Sequence, residues 1–417
     1  MSLDSAVRIE PFDDPNYDPA GEEDLNWGDH LDPYPRLAEL RRQAPVMEGE
    51  YRLLFGMAPD VTRRAARTFM ILGYDEVAEA LMRPDIFSNT HFLDNIGPTI
   101  GAKSLAVLDG EEHERYRKVF QKAFLPKVIN AWRDQIIQPV IDELVDEIIA
   151  KKKSDLVADF TKRYPFEIIY RQLQLPKGDV QPFFKLSTAL TAFAVDQSKG
   201  IEASGKLGRY FQALIDERRG SSGSDLFSLL TSAEADGEQL PNEAIIGFLR
   251  SLMNAAGDTT FRSTSNLLVA LLDNPSQMQA LREDPELMRG AIEELLRWDG
   301  PVGLDGRRVM QDFELGGVFM PAGSTAEVMA MAANRDETRF PDPHRFDIFR
   351  RPKSRHFGFG SGPHVCIGQH LARVLLTHAI TTLLRRLPNL RVDPDEPPPQ
   401  IRGLWMRVPR KLHVRVD

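Results

Sequence analysis

The chain's one cysteine closes a loop that reads Phe359-Gly360-Ser361-Gly362-Pro363-His364-Val365-Cys366-Ile367-Gly368, and a helical pattern begins directly after it. This stretch restricts the fold more than any other. Gly360 and Gly362 permit backbone with positive φ, so amide N–H groups can turn toward the sulfur. A cysteine at a helix N-terminus also meets the positive end of the helix dipole, which favours a thiolate. His364 adds a donor or cation two residues away, and Gly368 lets the following helix approach a flat partner closely. By itself a free cysteine is most simply a small buried hydrophobe. In this setting a stabilised thiolate suits either a nucleophile or a metal ligand.

A single cysteine forms no intramolecular disulfide and no multi-cysteine zinc or iron–sulfur site, and it points to a reducing, cytoplasmic setting. The 417 residues carry a formal charge of −9, unevenly placed: ten of 61 acids but one of 52 bases lie in residues 1–33, leaving 51 of each beyond. Residues 1–33 therefore read as an acidic N-terminal extension and 34–417 as the folded domain. The extension lacks the basic and apolar regions of a secretory signal. No apolar run reaches the roughly 18 residues of a membrane span. A neutral body without a basic stripe argues against nucleic acid.

Helical periodicity dominates, with a minor β part. Helices are expected over Tyr34–Gln43, Tyr74–Met82, Glu111–Phe124, Ile129–Lys152, Asp159–Leu175, Val180–Ala194 and Ile201–Arg219, with a turn at Gly220–Gly223. The longest runs from Pro241 to Asn274-Pro275, about 33 residues or 50 Å at 1.5 Å per residue. Helices follow over Ser276–Leu281, Glu286–Trp298 and Ile367–Arg386; strands are expected over Phe69–Gly73, Arg307–Leu315 and Thr325–Met329, with short strands after Leu390.

The cysteine loop resembles, at every fixed position, the haem-binding loop of the cytochrome P-450 monooxygenases. The resemblance implies a single large, mainly α domain with haem between the long central helix and the helix after Cys366. Cys366 would be the axial iron ligand, with Phe359, Gly360 and Gly368 shaping its loop. Glu294 and Arg297, an i,i+3 pair, match the family's core-helix pair, with Arg345 in Pro343-His344-Arg345-Phe346 as the third member of a structural network. In the middle of the long helix, Ala255-Ala256-Gly257-Asp258-Thr259-Thr260 resembles the oxygen-activation motif. Thr259 would hold water and the activated oxygen, and Asp258 would connect them to solvent protons. Ala256 stands where glycine is usual. His113 and Arg117 match the family's propionate-binding pair, with Arg307 and His364 as further propionate donors. Leu375 replaces a common glutamate, with no consequence assigned.

The family's chemistry is activation of O₂ at haem b and insertion of one oxygen atom into a C–H or C=C bond. No dinucleotide fingerprint is visible, so electrons are expected from a ferredoxin and its NAD(P)H-dependent reductase. Arg115, Lys118, Lys122 and Lys127, with Arg350, Arg351, Lys353 and Arg355, form the expected docking surface of a monomeric enzyme. Leu252, Ala255, Ala256, Val302, Gly303 and Leu304 would line the substrate pocket, capped by Phe92–Leu105 and walled by Trp405 or Met406. This apolar set favours a small or medium terpenoid or alkyl aromatic over a steroid or fatty acid. A peroxide-driven peroxygenase and a non-catalytic haem-thiolate gas sensor are the competing readings; the Asp258–Thr259 pair disfavours both.

Overall fold

The computed structural model describes residues 7–19, 27–59, 65–191, 196–220 and 225–417. Most of the Gly220–Gly223 turn and the last residues of the Val180–Ala194 helix lie outside them. As expected, the chain is mainly α with a small β part. Among the described residues, no helix is long and apolar enough to cross a membrane.

The central helix runs through the molecule as Asn242–Leu252, a widened turn over Met253–Asp258, and Thr259–Asp273. Pro241 precedes it in extended backbone. The widening has a local cause: Gly257 and Thr259–Thr260 are poor helix formers at mid-helix, and bulges of this kind relieve the strain of an irregular turn. Gly257 also makes room for Phe166: a Cβ there would lie 2.5 Å from the Phe166 ring, which would have to move. From Thr260 to Leu271 every residue is buried, as expected of a helix surrounded by others.

Asp196 caps the helix Gln197–Arg218 by accepting the Lys199 N–H, so that helix begins four residues before the expected Ile201. The expected strand Arg307–Leu315 divides in two. Asp305–Val309 joins a five-stranded sheet, in the order Val46–Glu48, Thr68–Ile71, Thr325–Val328, Asp305–Val309, Phe87–Ser88. Phe313–Leu315 instead pairs with Val318–Met320 across Gly316 and Gly317, whose φ of 56° and 76° make the tight turn. The helix after the cysteine begins at Gln369, two residues after the expected Ile367.

The acidic segment is bound to the body. Ile9 and Phe12 are buried in the main helical core. Glu10 pairs with Arg209 at 2.6 Å and Asp13 with Lys206 at 2.7 Å. Lys199 lies over the Phe12 and Tyr17 rings. Further on, Asp29 pairs with Arg402 and Arg410, and the Trp27 ring packs at a tilt against that of Trp405, 5.2 Å away. The described part of the expected extension is therefore packed against the domain, its acids opposite bases of the helix Gln197–Arg218 and the C-terminal hairpin.

Candidate active site

The cysteine loop is held at both ends. Phe357 N–H donates to Asn334 Oδ1 at 2.7 Å, Gly360 N–H to the Phe357 carbonyl at 2.8 Å, and Cys366 N–H to the Phe359 carbonyl at 2.9 Å. Gly362 has φ +70°, and a Cβ there would meet the Leu81 carbonyl at 2.4 Å, so this position admits glycine alone. Gly368 caps the following helix. Burial pushes the Cys366 thiol up; the Gly368 amide and the charges of Arg117 and Arg373 act in the opposite direction. Arg373 lies over the Phe359 ring, 4.5 Å from its centroid, and is fixed by Glu293 at 2.6 Å. His356 bonds the same Glu293, whose carboxyl is lowered to about 2; burial acts against this, and the bonds from His356 and Arg373 outweigh it. This Glu293–Arg373–His356 brace was not anticipated, because its members lie on three separate segments.

Residues 362–370 are all only partly buried although the loop runs into the protein's interior. On the central helix the same signature appears at the widened turn: Ala255 is exposed and Ala256 and Thr259 half-buried, ahead of twelve fully buried residues. Small side chains thus face open space at mid-helix. The Thr259 hydroxyl donates to the Ala255 carbonyl at 2.6 Å. Asp258 is buried beside Arg262, whose Nε lies 2.9 Å from each carboxylate oxygen; Arg262 also donates to the Met406 carbonyl at 3.1 Å. Arg262 was not singled out in the sequence, though its i,i+4 spacing to Asp258 was a usable signal.

Polar groups converge on the loop from other elements. Arg117, on the helix Gly110–Phe120, donates to the Val365 carbonyl. His113 is buried one turn earlier, its Nε2 without a partner, and burial with neighbouring cations lowers it to about 4. A neutral, buried imidazole with an orphaned nitrogen is a group awaiting a partner. Arg307 is buried with the Gly306 carbonyl at 2.8 Å and a loose pairing to Asp305 at 3.6 Å. His364 differs from the expectation of a free donor: Asp109 takes Nε2 at 2.6 Å and Asn89 meets Nδ1 at 3.0 Å, so both ring nitrogens have protein partners.

Two residues change place relative to the sequence reading. The side chain completing the Glu294–Arg297 pair is Arg350, with Nε at 3.0 and 3.1 Å from the two Glu294 oxygens. Arg345 points outward to Asp347 and contributes its backbone carbonyl to Arg297 and Arg350. Within an irregular loop no periodicity tells which arginine turns inward. Arg350 is accordingly no docking residue, and Arg115 is paired with Asp236 and Glu238. Among the pocket candidates, Leu252 is buried and Val302 half-buried, while Leu304 packs in a core cluster with Tyr34, Met331 and Leu404. Gly303 bonds the Trp405 carbonyl at 2.8 Å.

A family model for cytochrome P450 matches residues 179–415, more than half of the chain and including the central helix and the cysteine loop. The chain is a cytochrome P450. It is 34% identical over 387 residues to cytochrome P450 monooxygenase PikC of Streptomyces venezuelae, covering 89% of each chain. It is 33% identical over 374 residues to the methyl-branched lipid omega-hydroxylase of Mycobacterium tuberculosis, covering 86% of each. Among solved structures, CYP109E1 of Bacillus megaterium with testosterone superposes with a TM-score of 0.81 at 29% identity, covering 93% of this chain and all of that one. As a P450 this protein is a haem b-dependent monooxygenase that uses O₂. The orphaned His113 nitrogen, the half-buried cysteine loop and the small-residue face of the central helix fit such a group.

Proposed function

We propose that this P450 hydroxylates or epoxidises a small-to-medium hydrophobic substrate in the cytoplasm, with two electrons from a ferredoxin and its NAD(P)H-dependent reductase. The observation that carries this reading is the widened turn of the central helix. It sets Thr259 against the Ala255 carbonyl and Asp258 against Arg262, on either side of an open small-residue face.

Cys366 is the thiolate that holds haem iron, with Gly360 and Gly368 keeping the loop slim beside it. His113, Arg117 and Arg307 hold the propionates. Bound haem supplies the reductive activation of O₂ and the insertion of one oxygen atom. The protein's part is positioning and protons. Thr259 keeps a hydroxyl at the widened turn that can both accept and donate. Asp258 moves protons inward from solvent by exchanging its contact with Arg262 for one with water. Ala255 and Ala256 leave room over this face, and the half-buried segment of Phe92–Leu105 caps it. One relative is a methyl-branched lipid omega-hydroxylase and CYP109E1 forms a complex with testosterone; both molecules are hydrophobic, which supports an apolar substrate.

Ferredoxin docks on the exposed bases Lys118, Lys122, Lys127, Arg351 and Lys353. All five side chains are exposed and have no carboxylate partner among the described residues. Arg117 ties the first group to the cysteine loop, and Arg355, bonded to Ser361 at 2.6 Å, ties the second. An acidic partner is drawn to such a surface.

The deciding measurement is the carbon monoxide difference spectrum of the reduced protein. Thiolate ligation gives a strongly red-shifted Soret band, and Cys366→Ser abolishes it. A histidine-type spectrum in the unaltered protein overturns the assignment.

A further inference from the structure

Arg250 lies on the central helix nine residues before Thr259, about 14 Å along the axis. Its guanidinium sits in a groove of about 620 Å³ between that helix and the helix Gln197–Arg218, with Gly101 of the capping loop on a third side. The sequence makes room for it. A Cβ at Gly208 would lie 2.1 Å from an Arg250 Nη, so a glycine at this crossing is what admits the arginine.

Arg250 lacks a counter-charge. Several buried arginines have one: Arg41 with Asp336 at 3.7 Å, Arg218 with Asp225 at 3.6 Å, Arg297 with Glu294 at 2.8 Å and Arg407 with Asp299 at 2.9 Å. Arg335, buried without a carboxylate among the described residues, instead lies over the Tyr34 and Trp298 rings, 3.7 and 5.1 Å from their centroids. Arg250 has a single hydrogen bond, to the Ser204 carbonyl, and no carboxylate within ion-pair distance among the described residues. Its Nε is buried without a partner. Burial lowers it to about 10, so it stays charged at neutral pH. An uncompensated, partly desolvated guanidinium with an idle N–H is poised for a carboxylate.

The rest of the groove selects the kind of carboxylate. Arg209 on the wall is neutralised by Glu10 at 2.6 Å. Exposed Asp216 and Glu243 stand on the rim and offset the charge of Arg250, so an anion held here needs apolar contact as well. Ile246, Ala213 and glycine backbone supply apolar surface inside. The loop beyond is pinned to the central helix by the Ser104–Ser251 hydroxyl contact at 2.5 Å and by Gly247 against Ile100, while its Gly101 side faces Arg250.

We propose that this groove is a carboxylate subsite at the mouth of the substrate pocket, and that the substrate is an elongated hydrophobic carboxylic acid held by Arg250 with its tail passing beneath Gly101. This rests on the monooxygenase reading above and shifts the substrate class from terpenoid or aromatic hydrocarbon to an amphiphilic acid.

The test is calorimetric binding of dodecanoic acid, dodecanol and inorganic phosphate to the holoenzyme at pH 7.5. The acid should bind roughly tenfold more tightly than the alcohol, the factor expected for one charge-assisted contact. Arg250→Gln and Gly208→Ala should erase that preference, and Arg250→Lys should keep most of it. Equal binding of acid and alcohol by the unaltered enzyme, or a preference that survives Arg250→Gln, overturns the proposal. Phosphate binding as tightly as the acid also overturns it, since a bare-anion site would then remain. Failure of the monooxygenase reading shows separately, as loss of the red-shifted carbon monoxide band, which Arg250→Gln should leave intact.

Discussion

Two buried acid–arginine pairs lie on the helices behind and beside the site, and they are built in opposite ways. Glu294 is saturated: its oxygens receive Arg297 at 2.8 Å, Arg350 at 3.0 Å and the Asp347 N–H at 3.0 Å. Asp258 has both oxygens on the Nε of Arg262, within one helix and beside an open face. A carboxylate held by several donors from separate segments welds those segments together. One held chiefly by an i+4 neighbour can be released without moving the backbone. Chemistry that needs a mobile proton donor uses the second arrangement, and a scaffold behind a cofactor uses the first.

The largest expected effect tests that contrast directly. Arg350→Ala leaves Glu294 buried with one arginine, which should cost about 3–5 kcal/mol and much of the haem-loaded protein. Arg345→Ala should stay within about 0.5 kcal/mol. Thermal unfolding of the two variants side by side decides between them; equal losses would return Arg345 to the network. Next, Asp258→Asn should slow product formation by about 10²-fold, the usual reach of a positioned proton donor. Thr259→Ala should divert electrons to peroxide or water, read as product per NAD(P)H; unchanged coupling would contradict its role. The smallest effect concerns neighbours on the surface. Arg351→Glu with Lys353→Glu should raise the KM for ferredoxin several-fold and flatten its salt dependence while leaving stability unchanged. An unaltered KM removes that face from docking.

Different parts of the chain were legible to different degrees. The cysteine loop, the helix Tyr34–Gln43 and the helix Tyr74–Met82 appear within the bounds their patterns indicate. In each, the signal is local: glycine where φ is positive, or apolar residues at helical spacing. The third arginine was misplaced by five positions because the loop from Pro341 to Arg351 has no period from which to read side-chain direction. The pairing of His364 with Asp109 joins residues 255 apart in sequence. Leu304, apolar and next to the site in sequence, belongs to a core shared with Tyr34 and Leu404.

The acidic start shows the same division most plainly. Its charge could be counted from the residues, and counting marked it as an acidic extension without showing where it lies. Packing fixed its place, by burying Ile9 and Phe12 and setting Glu10 and Asp13 against bases some two hundred residues away. By itself the sequence determined the cysteine loop, the Asp258–Thr259 turn and the helical frame, because short-range sterics and periodicity write these into consecutive residues. Only the tertiary structure decided which arginine closes the buried network, that Arg250 is left without a counter-charge, and where the acidic segment lies. Those outcomes depend on which distant groups share a low-dielectric interior, and no local pattern records that.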